Sequence, residues 1–433
     1  MKVLLAPGTT GIAKEIFNSL FACKNIELYG CGFDLSKAKE MKYEKFFYVS
    51  ESNSRGQVLE SIATIVKNSG INAIFVCHDE WLREISISEL HSYVSTKVVN
   101  FPTKESSHLL SKRETYKKMA GRIFTPTTYE SVEEIAKYPL FLKPDRGQGS
   151  RGTKMIYAPS DLSDITISNG SIIRKENLLC EFLPGEEFTI DCFSNSAHKL
   201  LYSLARKRVL VSEGIASETH TVRLPEISAW LAEISESFKL SGAWFAQFKR
   251  SDEGNLKLLE VGIRVAGASG INRALGVNLA LMSLHQFLGH PIEIINQYHY
   301  AIYWQKSNTV KIDYNFKNAF IDFDDTITHK SKINRKVVEG IKKWKELGIE
   351  ISIITRSRVD ISQQISDIGL KNCISAIIYV GEERKSSKIT CSDNFVFVDD
   401  SFRERQDVHE VHRDRALVLD PSAFETDLLF AQY

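Results

Sequence analysis

The stretch Phe320-Ile-Asp322-Phe-Asp324-Asp325-Thr326 limits the possible folds of this chain more than any other. An apolar run that stops at Asp-x-Asp-x-Thr reads as a strand with two carboxylates at its carboxyl end, where open α/β sheets place their ligands. One such acid can attack phosphorus while the other moves a proton, with a divalent cation between them. In these residues alone a solvated acidic turn would look the same. The residues that follow favour the chemical reading. Ile349 to Ile354 is a second apolar strand stopping at Thr355-Arg356-Ser357, where a hydroxyl can hold a phosphoryl oxygen. Phe395-Val-Phe-Val398 is a third, running into Asp399-Asp400-Ser401, acids suited to a hard, oxygen-seeking magnesium ion. Lys385 and Lys388 lie between them, either able to neutralise a phosphoaspartate.

This order of acid pair, hydroxyl, lysine and acid pair resembles the haloacid-dehalogenase-like phosphohydrolase superfamily over residues 316–433. The resemblance implies that Asp322 forms an aspartyl-phosphate, Asp324 is the general acid and base, and Thr355 holds phosphate. It implies magnesium, or manganese in its place, on Asp322, Asp324, Asp399 and Asp400, and leaves the motif lysine open between Lys385 and Lys388. Between Thr328 and Ile349 there is room for one amphipathic helix, Val337 to Leu347, with Val338, Ile341, Trp344 and Leu347 on one face. A large cap does not fit there, so a bulky substrate or a neighbouring domain would have to cover the site.

A chain of 433 residues exceeds one ordinary core, and its length suggests about three domains. Lys+Arg 55 against Asp+Glu 54 leaves a net charge of +1, so no global field draws the chain to nucleic acid or an anionic membrane. Seven cysteines without CxxC spacing point to reduced thiols rather than a disulfide framework or zinc site. The apolar start breaks at Pro7-Gly8, and no run is long enough to span a bilayer; a cytoplasmic enzyme is expected. Oligomeric state is not readable.

The first hundred residues read as a doubly wound unit: strand Val3 to Ala6, the turn Pro7-Gly-Thr-Thr-Gly11, helix Ile12 to Phe21, and strand Ile26 to Gly30. Gly-Thr-Thr-Gly is not the three-glycine dinucleotide fingerprint, so an architectural turn is expected. Ala73-Ile-Phe-Val76 ends in Cys77-His78-Asp79-Glu80, where His78 and Asp79 either touch substrate or cap a helix.

In the middle, a strand Leu140 to Lys143 leads into Pro144-Asp-Arg-Gly147-Gln-Gly149-Ser150-Arg151-Gly152. Glycines spaced by Ser and Arg let backbone N–H groups and cations approach phosphate oxygens. Leu178 to Cys192 is a strand broken at Pro184-Gly185, offering backbone groups to an adenine edge and Glu187 to a ribose. Trp244 to Lys249 pairs with Leu256 to Arg264 through Asp252-Glu-Gly-Asn255, and alternation allows Gln247, Glu260 and Arg264 to meet over one metal–phosphate cluster.

These blocks resemble the ATP-grasp superfamily, in its carbamoyl-phosphate-synthase-like group of carboxylate–amine ligases, over roughly residues 1–295. The resemblance implies that Lys112 and Lys143 contact ATP phosphates, beneath a loop that includes Gly147, Gly149 and Ser150. It implies further that Glu181 and Leu183 meet adenine and Glu187 the ribose, that Gln247 and Glu260 hold magnesium, and that Arg264 holds the transferring phosphoryl. Ser269, Asn272 and Arg273 would face the acceptor pocket. Arg206 and Arg208 can meet an anionic substrate or form a solvated strand face. One departure stands out: the superfamily's Glu-x-Asn-x-Arg strand has Gly262 where the Asn would hold a second metal. Either Glu260, phosphate and water hold that metal, or part of the chemistry is lost.

The expected architecture is α/β multidomain: a Rossmann-like domain at 1–100, an ATP-grasp α+β domain at 101–310 and a haloacid-dehalogenase-like α/β domain with minimal cap at 316–433. The expected function is bifunctional. An ADP-forming ligase would join small carboxylate and amine substrates through an acyl phosphate, and a magnesium-dependent phosphohydrolase would act on a phosphorylated metabolite. The alternatives are a kinase paired with a phosphatase, and a nucleotide-sensing module governing the phosphatase.

Overall fold

The computed structural model describes residues 1–50, 54–87, 92–147, 149, 151–163, 165–167, 172–212, 214–329 and 332–431. The chain forms two compact units, one made of Met1–Ile16, Glu27–Ala268 and Met282–Ile292, the other of Phe17–Ile26, Ser269–Leu281 and Glu293–Tyr433. The expected boundary at residue 310 falls inside a strand, Thr309–Ile312, which pairs in parallel with Asp427–Phe430. Among the described residues no helix is long and apolar enough to cross a membrane.

In the first unit, four parallel strands lie in the order Lys45–Tyr48, Glu27–Gly32, Lys2–Ala6, Ala73–Val76. The central ones are apolar on both faces, as strands covered on both sides must be. Tyr43 donates its hydroxyl hydrogen to Gly8 O (2.6 Å), so the glycine turn is packed by a side chain of its own unit. Two antiparallel layers follow. One has the order Thr128–Tyr129, Asn177–Glu181, Leu140–Pro144, Lys154–Ile156; the other runs Leu256–Gly262, Gly242–Arg250, Glu187–Ser194, Leu200–Ser212, Ile215–Val222. A single apolar cluster links Leu4, Ile74 and Val76 of the parallel sheet to Ile190, Trp244, Phe248 and Leu258 of the longer antiparallel one. The strand break predicted at Pro184-Gly185 is a close approach: a Cβ on Gly185 would lie 2.7 Å from Arg250 Cβ and 2.8 Å from its carbonyl oxygen.

The second unit is built on five parallel strands in the order Ile374–Tyr379, Glu350–Thr355, Asn318–Ile321, Phe395–Val398, Ala416–Leu419. Every residue of Phe395–Val398 and Ala416–Leu419 is buried. Helix Arg335–Glu346 starts at Asn334, whose side chain accepts from Val337 N, and buries Val337, Val338, Ile341 and Trp344. Leu347, expected on that face, is the residue after the helix and is exposed. Between Thr326 and this helix the described residues form the short pairing of Thr328–His329 with Lys332–Ile333 and no other strand or helix.

Candidate functional sites

The first unit holds an open cleft lined from both antiparallel layers. Lys143 points into it from strand Leu140–Pro144 and is nearly buried. Its ammonium donates to Tyr116 Oη (2.7 Å), and that hydroxyl donates in turn to Leu259 O (2.7 Å). Burial lowers the Lys143 pKa, and neighbouring Lys112 lowers it further. Lys112 opens helix Lys112–Met119, which Ser111 caps by accepting from Glu114 N. Ser111 also donates to Asp145 (2.9 Å), and Asp145 accepts from Arg113 N (2.8 Å), so the helix start is tied to the strand that carries Lys143. The Lys112 ammonium reaches Gly147 O (2.9 Å) and lies 3.7 Å from Glu260.

Gln247 and Glu260 are cross-strand partners in the hairpin and both line the cleft. Glu181 accepts from Thr127 N (2.6 Å) and Lys257 (2.5 Å), with Leu183 beside it in the wall. Glu187 pairs with Arg208 at 3.1 Å. Gly147 and Gly149 are in the lining, and Ser150 lies outside the described residues. The cleft thus gathers cations, carboxylates and an apolar wall, the chemical contents of a nucleotide–metal pocket.

Three of the expected sets of residues lie outside the lining of this cleft. Arg206 does not meet the cleft: it is 1% exposed and makes a bidentate pair with Asp191 (2.6 and 3.1 Å), while Arg208, two residues on, is the one in the lining. Arg264 is not in the lining either; it forms a bidentate pair with Asp79 (2.5 and 3.1 Å), and its guanidinium lies 5.0 Å from the Phe245 ring centre. Ser269, Asn272 and Arg273 belong to the second unit and are buried in it, with Arg273 donating to Ser422 O (2.6 Å) and Asn272 to Ser269 O (3.0 Å). Gly262 has a packing reason, since a Cβ there would lie 2.2 Å from the Phe245 ring opposite it. Tyr116, which Lys143 contacts, escaped the sequence reading. Tyr116 gave a signal, standing one helical turn after Lys112.

The second unit has its own polar centre at the carboxyl ends of the parallel strands. Asp322, Asp399 and Asp400 each place a carboxylate oxygen within 4.8 Å of the others. Lys385, 2% exposed, donates to Asp322 Oδ1 (2.6 Å) and Asp399 Oδ2 (2.7 Å). Lys388 is not the equivalent: it pairs outward with Glu383 (2.6 Å). Thr355 is buried at the end of its strand, and its hydroxyl oxygen accepts from Ser357 N (3.0 Å). Asp324 is exposed and its carboxylate is not in the three-acid cluster. Asp325 adopts a left-handed backbone (φ 58°), which aspartate tolerates better than most residues.

Burial, then the neighbouring Asp399, pushes the Asp322 carboxyl up to about 7; the same two causes raise Asp400 to about 6. Asp399 is also raised by burial. Burial opposes the charge on Lys385, yet Asp399 and Asp322 outweigh it and hold the ammonium above its ordinary value. Carboxylates crowded this closely, two of them buried and all reluctant to ionise, fit a hard divalent cation that would replace their protons.

A family model described as ATP-grasp in the biosynthetic pathway with Ter operon matches residues 174–310. No curated protein matches the chain. Among solved structures, the biotin carboxylase domain of Hydrogenobacter thermophilus 2-oxoglutarate carboxylase, in complex with MgADP, ADP and bicarbonate, is similar over 70% of this chain and 73% of its own, at 14% identity and TM-score 0.55. The L-amino acid ligase of Bacillus licheniformis matches 70% of this chain and 78% of its own at 12% identity and TM-score 0.53. N5-carboxyaminoimidazole synthetase of Staphylococcus aureus, complexed with ADP, matches 70% and 81% at 11% identity and TM-score 0.54. This mixed α/β protein therefore contains an ATP-grasp fold.

Proposed function

We propose that the protein is an ADP-forming ligase that joins a carboxylate to an amine, carried on one chain with a phosphohydrolase of the haloacid-dehalogenase type. The observation that carries the first half is the convergence of Lys112, Lys143, Glu181, Glu187, Gln247 and Glu260 on one cleft within an ATP-grasp fold. The similar structures support it, two of them named as a ligase and a synthetase. Lys143 and Lys112 neutralise ATP phosphates, while Gln247 and Glu260 would hold magnesium. The acceptor carboxylate attacks the γ-phosphorus and ADP leaves. The amine then attacks the acyl carbon, and inorganic phosphate departs with its bonding electrons. Positioning and charge neutralisation carry most of such catalysis. Product analysis tests this: ADP formation should require both acceptors and give a new amide by mass spectrometry. A stable phosphorylated product without amide would favour the kinase reading instead.

The second half rests on the Asp322–Lys385–Asp399–Asp400 constellation with Thr355 beside it on the adjacent strand end. Asp322, Asp399 and Asp400 would hold magnesium, which supplies charge neutralisation at the phosphoryl oxygens. Asp322 attacks phosphorus, the ester oxygen leaves with a proton from Asp324, and water returns its proton to Asp324 as it releases phosphate from Asp322. Lys385 steadies the charge on Asp322 and Thr355 positions a phosphoryl oxygen. Trapping a phosphoryl group on Asp322 in acid-quenched enzyme tests this assignment; label on any other residue refutes it. The Arg264–Asp79 pair favours one second reading, in which the cleft senses nucleotide, because it engages the arginine expected to bind the transferred group.

A further inference from the structure

The second unit includes Phe17–Ile26, a segment remote in sequence from the acid sheet. From it, Lys24 forms an ion pair with Asp325. An exposed pair of this kind stabilises a fold little, and the segment has firmer attachments. Asn278 Nδ2 donates to Ser19 O (2.7 Å) and to Ser422 Oγ (3.1 Å), and all three residues are buried. Ser422 follows strand Ala416–Leu419, the neighbour of Phe395–Val398, which runs into Asp399. Arg405 braces the same wall by donating to Asp399 O (2.5 Å) and pairing with Asp420 (3.3 Å). The loop bearing Lys24 is thus anchored to the strand ends that carry the acids.

Other cations of the second unit near these acids are engaged by protein groups: Lys385 by Asp322 and Asp399, Arg356 by Glu404 and Gly381 O, Arg405 as above. Lys24 differs in geometry, with its side chain 60% exposed and its ammonium on Asp325, the residue that follows the exposed Asp324 in the chain. Asp325 chiefly, then Asp400 and Asp324, raise its pKa, so the ammonium stays charged at neutral pH. Among the described residues, the segment between Thr326 and helix Arg335–Glu346 forms no element larger than the Thr328–His329 and Lys332–Ile333 pairing.

We propose that Lys24 is a specificity-determining residue of the acid-cluster site, receiving a second anionic group, carboxylate or phosphate, on the alcohol portion of a phosphate monoester. This rests on the phosphohydrolase reading above. Lys24 forms no covalent bond; it swings from Asp325 to the ligand, so it acts on binding rather than on phosphoryl transfer. The substrate class is then a phosphorylated hydroxy acid or a bisphosphate.

Glycerol 3-phosphate and 3-phosphoglycerate are a matched pair of probes, differing by a hydroxymethyl against a carboxylate. With magnesium, the full-length enzyme should prefer 3-phosphoglycerate, and Lys24→Ala should reduce that preference about tenfold through KM, the scale of one charge-assisted hydrogen bond. Lys24→Arg should restore it and Lys24→Glu should invert it. A preference ratio that Lys24→Ala leaves intact overturns the proposal, as does wild-type indifference to the carboxylate. Hydrolysis of both esters that survives Asp322→Asn refutes the phosphohydrolase assignment itself, a separate outcome.

Discussion

Replacing Lys385 by Met removes one charge and keeps an unbranched side chain only one heavy atom shorter, and its cost should depend on pH in a calculable direction. Lys385 sits 2.6 Å from Asp322 and 2.7 Å from Asp399, and all three are buried. Removing one member of a buried ionic cluster costs about 3–5 kcal/mol when the remaining charges cannot neutralise themselves. Here they can, by taking up protons. Burial and Asp399 already raise Asp322 to about 7 in the native protein, above the ordinary carboxyl value of 3.8. A raised acid means that the native state binds more protons than the unfolded chain, so stability falls as pH rises from about 4 through 7. Losing Lys385 pushes both acids higher still, extending that fall beyond pH 7 at up to about 1.4 kcal/mol per pH unit for each extra proton retained. The expected loss is therefore about 1–2 kcal/mol at pH 5.5, where a proton covers Asp322, and about 3–5 kcal/mol at pH 8. Native-state hydrogen exchange of the Phe395–Val398 amides in EDTA would read this locally. An equal loss at both pH values, or a smaller one at pH 8, would refute the assignment of Lys385 as the counter-charge of two buried acids.

Gly262→Ala should destabilise the first unit by about 1–3 kcal/mol through overpacking, because its Cβ meets the Phe245 ring at 2.2 Å; adding Phe245→Ala should recover part of that loss in urea melts. Asp79→Asn frees Arg264 from its ion pair and should raise kcat for ADP formation more than it changes ATP affinity; equal ADP formation would show that the pair has no catalytic bearing. Asp191→Asn strands a buried guanidinium and should cost about 3–5 kcal/mol without moving the ATP dissociation constant of the folded fraction. Tyr116→Phe removes the hydroxyl that orients Lys143 and should weaken ATP binding about three- to tenfold by calorimetry.

Periodicity and strand-end chemistry made much of this chain readable. Apolar runs ending at Asp322, Thr355 and Asp399 form adjacent parallel strands, as two-sided burial requires. The Gln247–Glu260 partnership followed from a hairpin whose turn residues were explicit. What escaped was long-range pairing. Sequence alternation put Arg206 and Arg208 on one face, yet could not tell that Asp191 on the adjoining strand would claim the first. Local spacing could not choose between Lys385 and Lys388, because the choice depends on which one a short helix turns toward two remote strand ends. Gly262 looked like a missing ligand until its cross-strand neighbour Phe245 supplied a steric reason. The segment Phe17–Ile26, read as part of the first α/β domain, joins the second unit through contacts across more than 250 positions, such as Asn278 with Ser19.

The central claim is two independent sites on one chain, and the most direct measurement reads ADP and inorganic phosphate separately. Wild type, Glu260→Ala and Asp322→Asn would each be supplied with ATP, magnesium, an acceptor panel and a phosphate ester. Glu260→Ala should lose ADP formation and keep ester hydrolysis, whereas Asp322→Asn should lose ester hydrolysis and keep ADP formation. Loss of both activities in either variant, or persistence of both in either, would contradict the account.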